Sequence, residues 1–187
     1  MSDERTPLNR FWAEFRENKI GLVALVVVVV TILLALFASI ISPQDPYDLA
    51  KLSLMDSRRP PGFVGSGGYT HLLGTDPQGR DLLSAIFYGL RISIQIGLAA
   101  GLVSLTIGTA LGITAAYVGG RIEALIMRLI DLQLSFPAIL LALVIVALLG
   151  QGKVQLISAL VAAQYAYFAR TAYGAAKAER GKDYIEA

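Results

Sequence analysis

The stretch IGLVALVVVVVTILLALFASII, residues 20–41, carries no charged side chain from end to end. At about 1.5 Å per residue, a helix of that length reaches across the roughly 30 Å of hydrocarbon in a bilayer. A cleavable secretory signal would instead hold an apolar core of about 7–15 residues closed by a small-x-small cleavage site. Neither feature is present, so the segment reads as a retained anchor. The rest of the chain agrees: of 187 residues, 55% are hydrophobic and 16% charged, and the mean hydropathy is +0.61. The apolar residues also come in long blocks, outside the usual proportions of a soluble domain. The expected fold is all-α, a polytopic integral membrane protein.

Composition excludes several function classes. A net charge of +2 with dispersed basic residues gives no electrostatic footprint for nucleic acid. The absence of Cys removes disulfides, thiolate metal sites and thiol nucleophiles, and a lone His71 removes most histidine-based catalysis and metal binding. No paired carboxylates converge within the apolar runs, so no catalytic residue, cofactor or metal site is expected.

Three further runs follow the anchor. Residues 92–118 place Gly97, Gly101, Ser104, Gly108, Gly112 and Ala115 at steps of three and four, on one helical face. Small residues let backbones approach closely in lipid. They serve either packing within the chain or contact with a second membrane subunit. Residues 122–149 contain Arg128 and Asp131, then Pro137, where the helix should bend or break. Arg128 with Asp131 forms an expected ionisable pair, either locking helices together near the cytoplasmic end or standing in a substrate path. Residues 154–173 hold Gln164, Tyr165 and Tyr167, consistent with a semi-polar pathway or an interfacial aromatic belt.

Basic residues orient the chain. Arg5, Arg10, Arg16 and Lys19 precede the first run, while Arg170, Lys177, Arg180 and Lys182 follow the fourth. Four crossings put both groups on one side, which the positive-inside rule makes cytoplasmic. Residues 42–91 then lie outside, with Lys51, Arg58, Arg59, Arg80 and Arg91 balancing Asp45, Asp48, Asp56, Asp76 and Asp81. The expected organisation is a cytoplasmic segment 1–19, a first span 20–41, an extracytoplasmic loop 42–91 with a short amphipathic helix, and a membrane domain 92–187.

Within that loop, HLLGTDPQGRD, residues 71–81, has two glycines, Gly74 and Gly79, with four residues between them, followed by Arg80. The spacing approaches that of a phosphate-cradling loop. However, Arg80 stands where a Lys is needed, and Asp81 puts a carboxylate where a hydroxyl should meet magnesium. The stretch reads as a structural turn feeding a helix with Leu82, Leu83, Ile86, Phe87 and Leu90 at helical spacing. Asp76, before Pro77, and Asp81 are rival helix caps.

The string HLLGTDPQGRDLLSAIFYGLRISI, the turn at Gly119 and Gly120, and MRLIDLQLSFPAILLALVIVALLG occur in this order. Together they resemble the second, C-type permease subunit of the dipeptide, oligopeptide and nickel family of bacterial ABC importers, over nearly the whole chain. The resemblance implies a type I importer fold of six spans, of which about four are present. It implies a heterodimer with a related permease, two cytoplasmic ATPase subunits, an extracytoplasmic solute-binding protein, and a place in the bacterial inner membrane with the N-terminus cytoplasmic. The subunit itself would not be an enzyme. A Glu-Ala-Ala coupling loop docks on the ATPase in this family, and Glu186 and Ala187 match its first two positions. Its third residue, its later Gly and the last two spans fall beyond Ala187, so a fragment of a six-span protein is expected. Ala85, and Gln164, Tyr165 and Ala166 in place of a Trp-Pro-Gly-like bend, depart from the family pattern. Rival readings are an ion-coupled secondary transporter using Arg128 and Asp131, and a non-transporting membrane scaffold.

Overall fold

The computed structural model describes residues 7–180, and side chains from Phe11 onward. The chain divides between Ile94 and Gln95 into two compact units, each taken separately below.

The first unit begins with α1 (Pro7–Glu17), which stacks Phe11, Trp12 and Phe15 along one side, with centroids 5.6–6.5 Å apart. Phe11 and Trp12 are exposed. Asn18 ends this helix and caps α2 (Lys19–Leu36), its side-chain oxygen accepting from the Gly21 amide at 3.0 Å. A short α3 (Ala38–Ile41) continues the apolar run. Of the α2 side chains only Ala35 is buried, as suits a helix whose neighbours are lipid.

Residues 42–81 form an ordered polar module, not a plain loop. It contains 3-10 turns at Leu49–Lys51 and Leu54–Asp56, and an antiparallel hairpin of β1 (Phe63–Val64) and β2 (Thr70–His71) in which Phe63 pairs with His71. Apart from Pro46, its buried side chains are polar: Gln44, Asp56, His71, Thr75 and Asp81. The module leads into α4 (Leu82–Val118). The expected amphipathic helix and second span are one continuous helix of 37 residues, because no Pro or capping residue interrupts the pattern between them.

In the second unit a turn through Gly119 leads to α5 (Gly120–Leu134), which is followed by α6 (Ala138–Leu149) at 89°. The bend falls at Pro137, which cannot donate a helical hydrogen bond and pushes Phe136 out of helical geometry. Neither half alone crosses about 30 Å of hydrocarbon at about 1.5 Å per residue. Last comes α7 (Lys153–Arg180), packed on both α5 and α6.

By length and composition, α2 and α4 can each cross a membrane, and the α5–α6 pair adds a third crossing if it is one broken span. Though 28 residues long, α7 is not among these helices. Gln155, Gln164, three tyrosines and Arg170 dilute its apolar residues. The fold is a polytopic, helical membrane protein with one small hairpin.

Candidate coupling surface and helix contacts

The second unit is held by small residues. The side of α7 carrying Ala159, Ala163, Ala166 and Ala169 is fully buried or nearly so. Against it, α4 presents Gly108 and Gly112. A Cβ at Gly108 would overlap the Tyr165 carbonyl and Phe168 Cβ, and one at Gly112 the Ala169 carbonyl. These two glycines are therefore required for the α4–α7 approach. Gly97 and Gly101 share the α4 stripe but face open space, with no atom within 4 Å of an added Cβ. The stripe expected from the sequence thus splits, its C-terminal half serving contact within the chain. Ala115, Met127, Ile130, Ala166 and Ala169 close a small core joining α4, α5 and α7.

The polar contacts sort differently from expectation. Asp131 Oδ1 accepts from Arg170 Nη1 at 2.7 Å, so the pair links α5 to α7 and does not lie along α5. Arg128 is exposed and is not the partner of Asp131. Three residues along a helix let two long side chains meet, but Arg170 reaches from the adjacent helix, which sequence spacing cannot show. Both members are about half exposed, at 51% and 53%.

About two turns nearer the start of α5, Glu123 accepts from both Tyr173 and Lys177 of α7. Lys177 also donates to the Tyr173 hydroxyl at 2.9 Å. Arg180 Nη1 donates to the Ala116 and Tyr117 carbonyls at 2.8 and 3.0 Å, satisfying acceptors left over at the C-terminus of α4. Gln133 donates to the Ala162 carbonyl. The Glu123 and Arg180 contacts fix the last turns of α7 to the α4–α5 turn, and the Gln133 bond ties the end of α5 to the middle of α7. The sequence reading missed Glu123, Tyr173 and Arg180 as a cluster. The available signal was four basic residues near the end of a helix with one Glu just past a Gly-Gly turn.

Gln164, Tyr165 and Tyr167 do not converge. Gln164 and Tyr167 are exposed, the latter at 56%. Tyr165 turns the other way, packing on the small core and lining an apolar groove of about 550 Å³ with Val103, Ile107, Leu111 and Val161. Glu186 and Ala187 lie outside the described residues.

In the first unit, the sequence's turn has a definite construction. Asp81, fully buried, caps α4, its Oδ2 accepting from both the Ser84 amide and hydroxyl at 2.7 Å. Its Oδ1 lies 2.9 Å from His71 Nδ1, and its amide donates to Gln44 Oε1 at 2.7 Å. Between the rival caps, Asp81 starts the helix. Asp76 instead closes the preceding turn, accepting from the Gln78 and Arg80 amides and from Arg80 Nε at 2.7 Å. Burial alone would raise the Asp76 pKa, but these Arg80 and Gln78 donors outweigh it and leave it lowered. Gly79, at φ +76°, lies so close to the Ser53 carbonyl that a Cβ would overlap it. Arg80 is thus committed to Asp76 and Asp81 to His71 and Ser84, in a structural turn.

Comparison with known proteins follows the same division. Residues 6–61 match the N-terminal transmembrane domain of oligopeptide transport permease C, and residues 108–187 match the binding-protein-dependent transport system inner membrane component. The chain is 35% identical to the dipeptide transport system permease protein DppC of Haemophilus influenzae, over 97% of this chain and 60% of that protein. It is 37% identical to the di/tripeptide transport system permease protein DppC of Pseudomonas aeruginosa, over 97% of this chain and 59% of that protein. The glutathione transport system permease protein GsiD of Pectobacterium atrosepticum is 33% identical, over 97% of this chain and 58% of that protein. The chain thus spans about three fifths of the length of the curated relatives it matches. Over the residues it has, this chain is similar along nearly its whole length to membrane transport permeases of the peptide family, and it carries matches to two of their domain models.

Proposed function

We propose that this chain is a transmembrane permease subunit of a bacterial ABC importer and forms part of the pathway by which peptides cross the inner membrane. The observation that carries the reading is the tie between α7 and the α4–α5 turn, made by Glu123 with Tyr173 and Lys177 and by Arg180 on the α4 carbonyls. A helix fixed at that end can transmit a push delivered beyond it without bending first. Beyond it lie Glu186 and Ala187, proposed as the first residues of the contact with a partner ATPase. ATP hydrolysis falls to two such subunits, a second permease completes the pathway, and a solute-binding protein delivers peptide outside. The N-terminus, with segment 1–19, lies in the cytoplasm, residues 20–41 span the membrane, and residues 42–91 lie outside.

Asp131 with Arg170 supports this reading over ion coupling. A coupling carboxylate must be free to lose or gain its ion, whereas Asp131 is already neutralised by a guanidinium. Gly97 and Gly101, open to close approach, suit the second permease. Gln164 and Tyr167 are exposed polar groups fit to line a pathway that binds weakly.

The test is uptake of a labelled dipeptide by cells lacking the chain and by cells given it back, with and without ATP depletion. Restored uptake that collapses on ATP depletion is expected. Uptake that persists without ATP but follows the proton or sodium gradient would overturn the ABC reading.

A further inference from the structure

A pocket of about 590 Å³ opens in the first unit where the first apolar run ends, lined by Ser39, Ser42, Asp45, Lys51, Tyr69 and Tyr88 among others. Just before it, Leu36, Phe37, Ile40 and Ile41 are exposed at 43–76%, the surface of a helix meant for lipid. The pocket therefore starts where hydrocarbon gives way to headgroups. Tyrosine settles at that level, and lysine near a helix end snorkels to it.

Three features describe what the pocket takes. The Ser42 hydroxyl is buried, and among the described residues it has no hydrogen-bond partner. An unpaired buried hydroxyl is unfavourable, and an oxyanion in the pocket would relieve it. Lys51, 68% exposed and paired with the carboxylate of Asp48 at 3.1 Å, lines the same pocket and can reach the same oxyanion. Asp45 takes the Tyr47 amide on Oδ1, at 2.9 Å, which leaves Oδ2 for a second donor. With Asp45 and Asp48 against a single Lys51, the rim carries excess negative charge. A purely anionic ligand is disfavoured, while one that brings its own ammonium fits.

We infer that this pocket binds a phospholipid headgroup carrying both a phosphate and a primary ammonium, as phosphatidylethanolamine does. The phosphate sits on Lys51 and the Ser42 hydroxyl, and the ammonium on Asp45. Phosphatidylglycerol has no cation for Asp45, and the methylated ammonium of phosphatidylcholine has no N–H to donate to it. A free dipeptide shares the ammonium–anion chemistry and is the other source of such a ligand. The placement at the end of a lipid-facing helix favours the lipid.

The experiment is native mass spectrometry of the detergent-purified protein titrated with phosphatidylethanolamine, phosphatidylglycerol and phosphatidylcholine of identical acyl chains. Retention of phosphatidylethanolamine about tenfold above the other two is expected, the size of one charge-assisted hydrogen bond. Asp45→Asn, at the half-exposed rim, should erase that preference, and Lys51→Gln, at the exposed rim, should weaken retention of all three lipids, neither lowering the thermal midpoint. Ser42→Ala should weaken retention of the three lipids alike. Water-soluble glycerophosphoethanolamine should displace the bound lipid. Equal retention of the three lipids would overturn the proposal, as would a preference that survives Asp45→Asn. Displacement by alanyl-alanine but not by glycerophosphoethanolamine would reassign the pocket to a peptide and overturn the lipid assignment.

Discussion

In the first unit the side chains with no solvent exposure, or nearly none, include His71, Asp81 and Ser84. In the second they are alanines at positions 115, 159, 166 and 169, with Ile130 and Ser104. One region is built from hydrogen bonds and the other from close backbone approach. Residues 42–81 are too few to enclose a large apolar core, so a network around Asp81 specifies their shape instead. In lipid the hydrophobic effect offers helices no gain from packing on each other, and glycine and alanine supply contact area by letting backbones touch. The two materials fail differently. A network loses several bonds when one member goes, whereas a packed stripe fails only where a side chain is added.

The sharpest way to break that contrast is Asp81→Ala. It strands His71 Nδ1, the Ser84 amide and the Ser84 hydroxyl together, all buried. A loss of about 3 kcal/mol or more in the stability of this module is expected, since each orphaned buried group costs roughly 1–3 kcal/mol. Limited proteolysis within residues 42–81 reads it, and an unchanged cleavage rate would show that the network is not what holds the module. Asp81→Asn keeps the shape and should cost less.

Next in size is Gly112→Leu, which drives a side chain into the Ala169 carbonyl and Tyr173 amide of α7. Overpacking of this kind costs about 1–3 kcal/mol. Gly97→Leu, on the same stripe but facing open space, should change stability by under about 0.5 kcal/mol. Thermal midpoints in detergent separate the two. If both substitutions act alike, the division of the stripe is wrong. Loss of co-purification with a second permease by the Gly97 variant alone would support the proposed heterodimer.

The contrast also predicts different responses to acid. In the outer module Asp56 has its pKa lowered, first by the Ser66 hydroxyl at 2.6 Å, against the opposing effect of burial, and then by the Ser66 amide at 2.9 Å. A carboxylate whose folded pKa lies below its unfolded value adds stability that is complete above the unfolded value, about 4, and is lost as pH falls through the folded one. Protection of the Ser66 amide from exchange, corrected for intrinsic rate, should therefore hold from neutral pH down to about 4 and fall below it. Loss of protection already between pH 7 and 5 would show that Asp56 is not the controlling group.

How much of this was legible beforehand depended on range. The apolar run at 20–41, the break at Pro137 and the small-residue stripe all follow from composition and local period; the structure forms helices at Lys19–Leu36 and Ala38–Ile41, ends α5 just before Pro137, and packs only Gly108 and Gly112 of the stripe's glycines against α7. The family followed from strings of residues in order. The order of the polar module was hidden because its bonds join Gln44 to Asp81 and Asp56 to Ser66, across turns that periodicity does not describe. The amphipathic α1 was passed over because its basic residues were read only for orientation. The alanine stripe of α7, at steps of four, three and three, was visible but overshadowed by the tyrosines beside it.

The partner of Asp131 was the plainest miss, and it sets the smallest prediction. Spacing favoured Arg128, three residues back on α5, but Arg170 holds the carboxylate from α7. If the pair does what the geometry implies, a double-mutant cycle on Asp131→Asn and Arg170→Gln should return a coupling of about 0.2–1 kcal/mol, the range for half-exposed ion pairs. The same cycle with Arg128→Gln should return none. Because the pair joins two helices already packed through Met127, Ile130, Ala166 and Ala169, its loss should leave the thermal midpoint nearly unchanged. What it should alter is the rigidity of the α5–α7 link, read as faster amide exchange in the last turns of α7. A coupling to Arg128 equal to that with Arg170 would return the pair to the α5 helix and undo the cross-helix assignment.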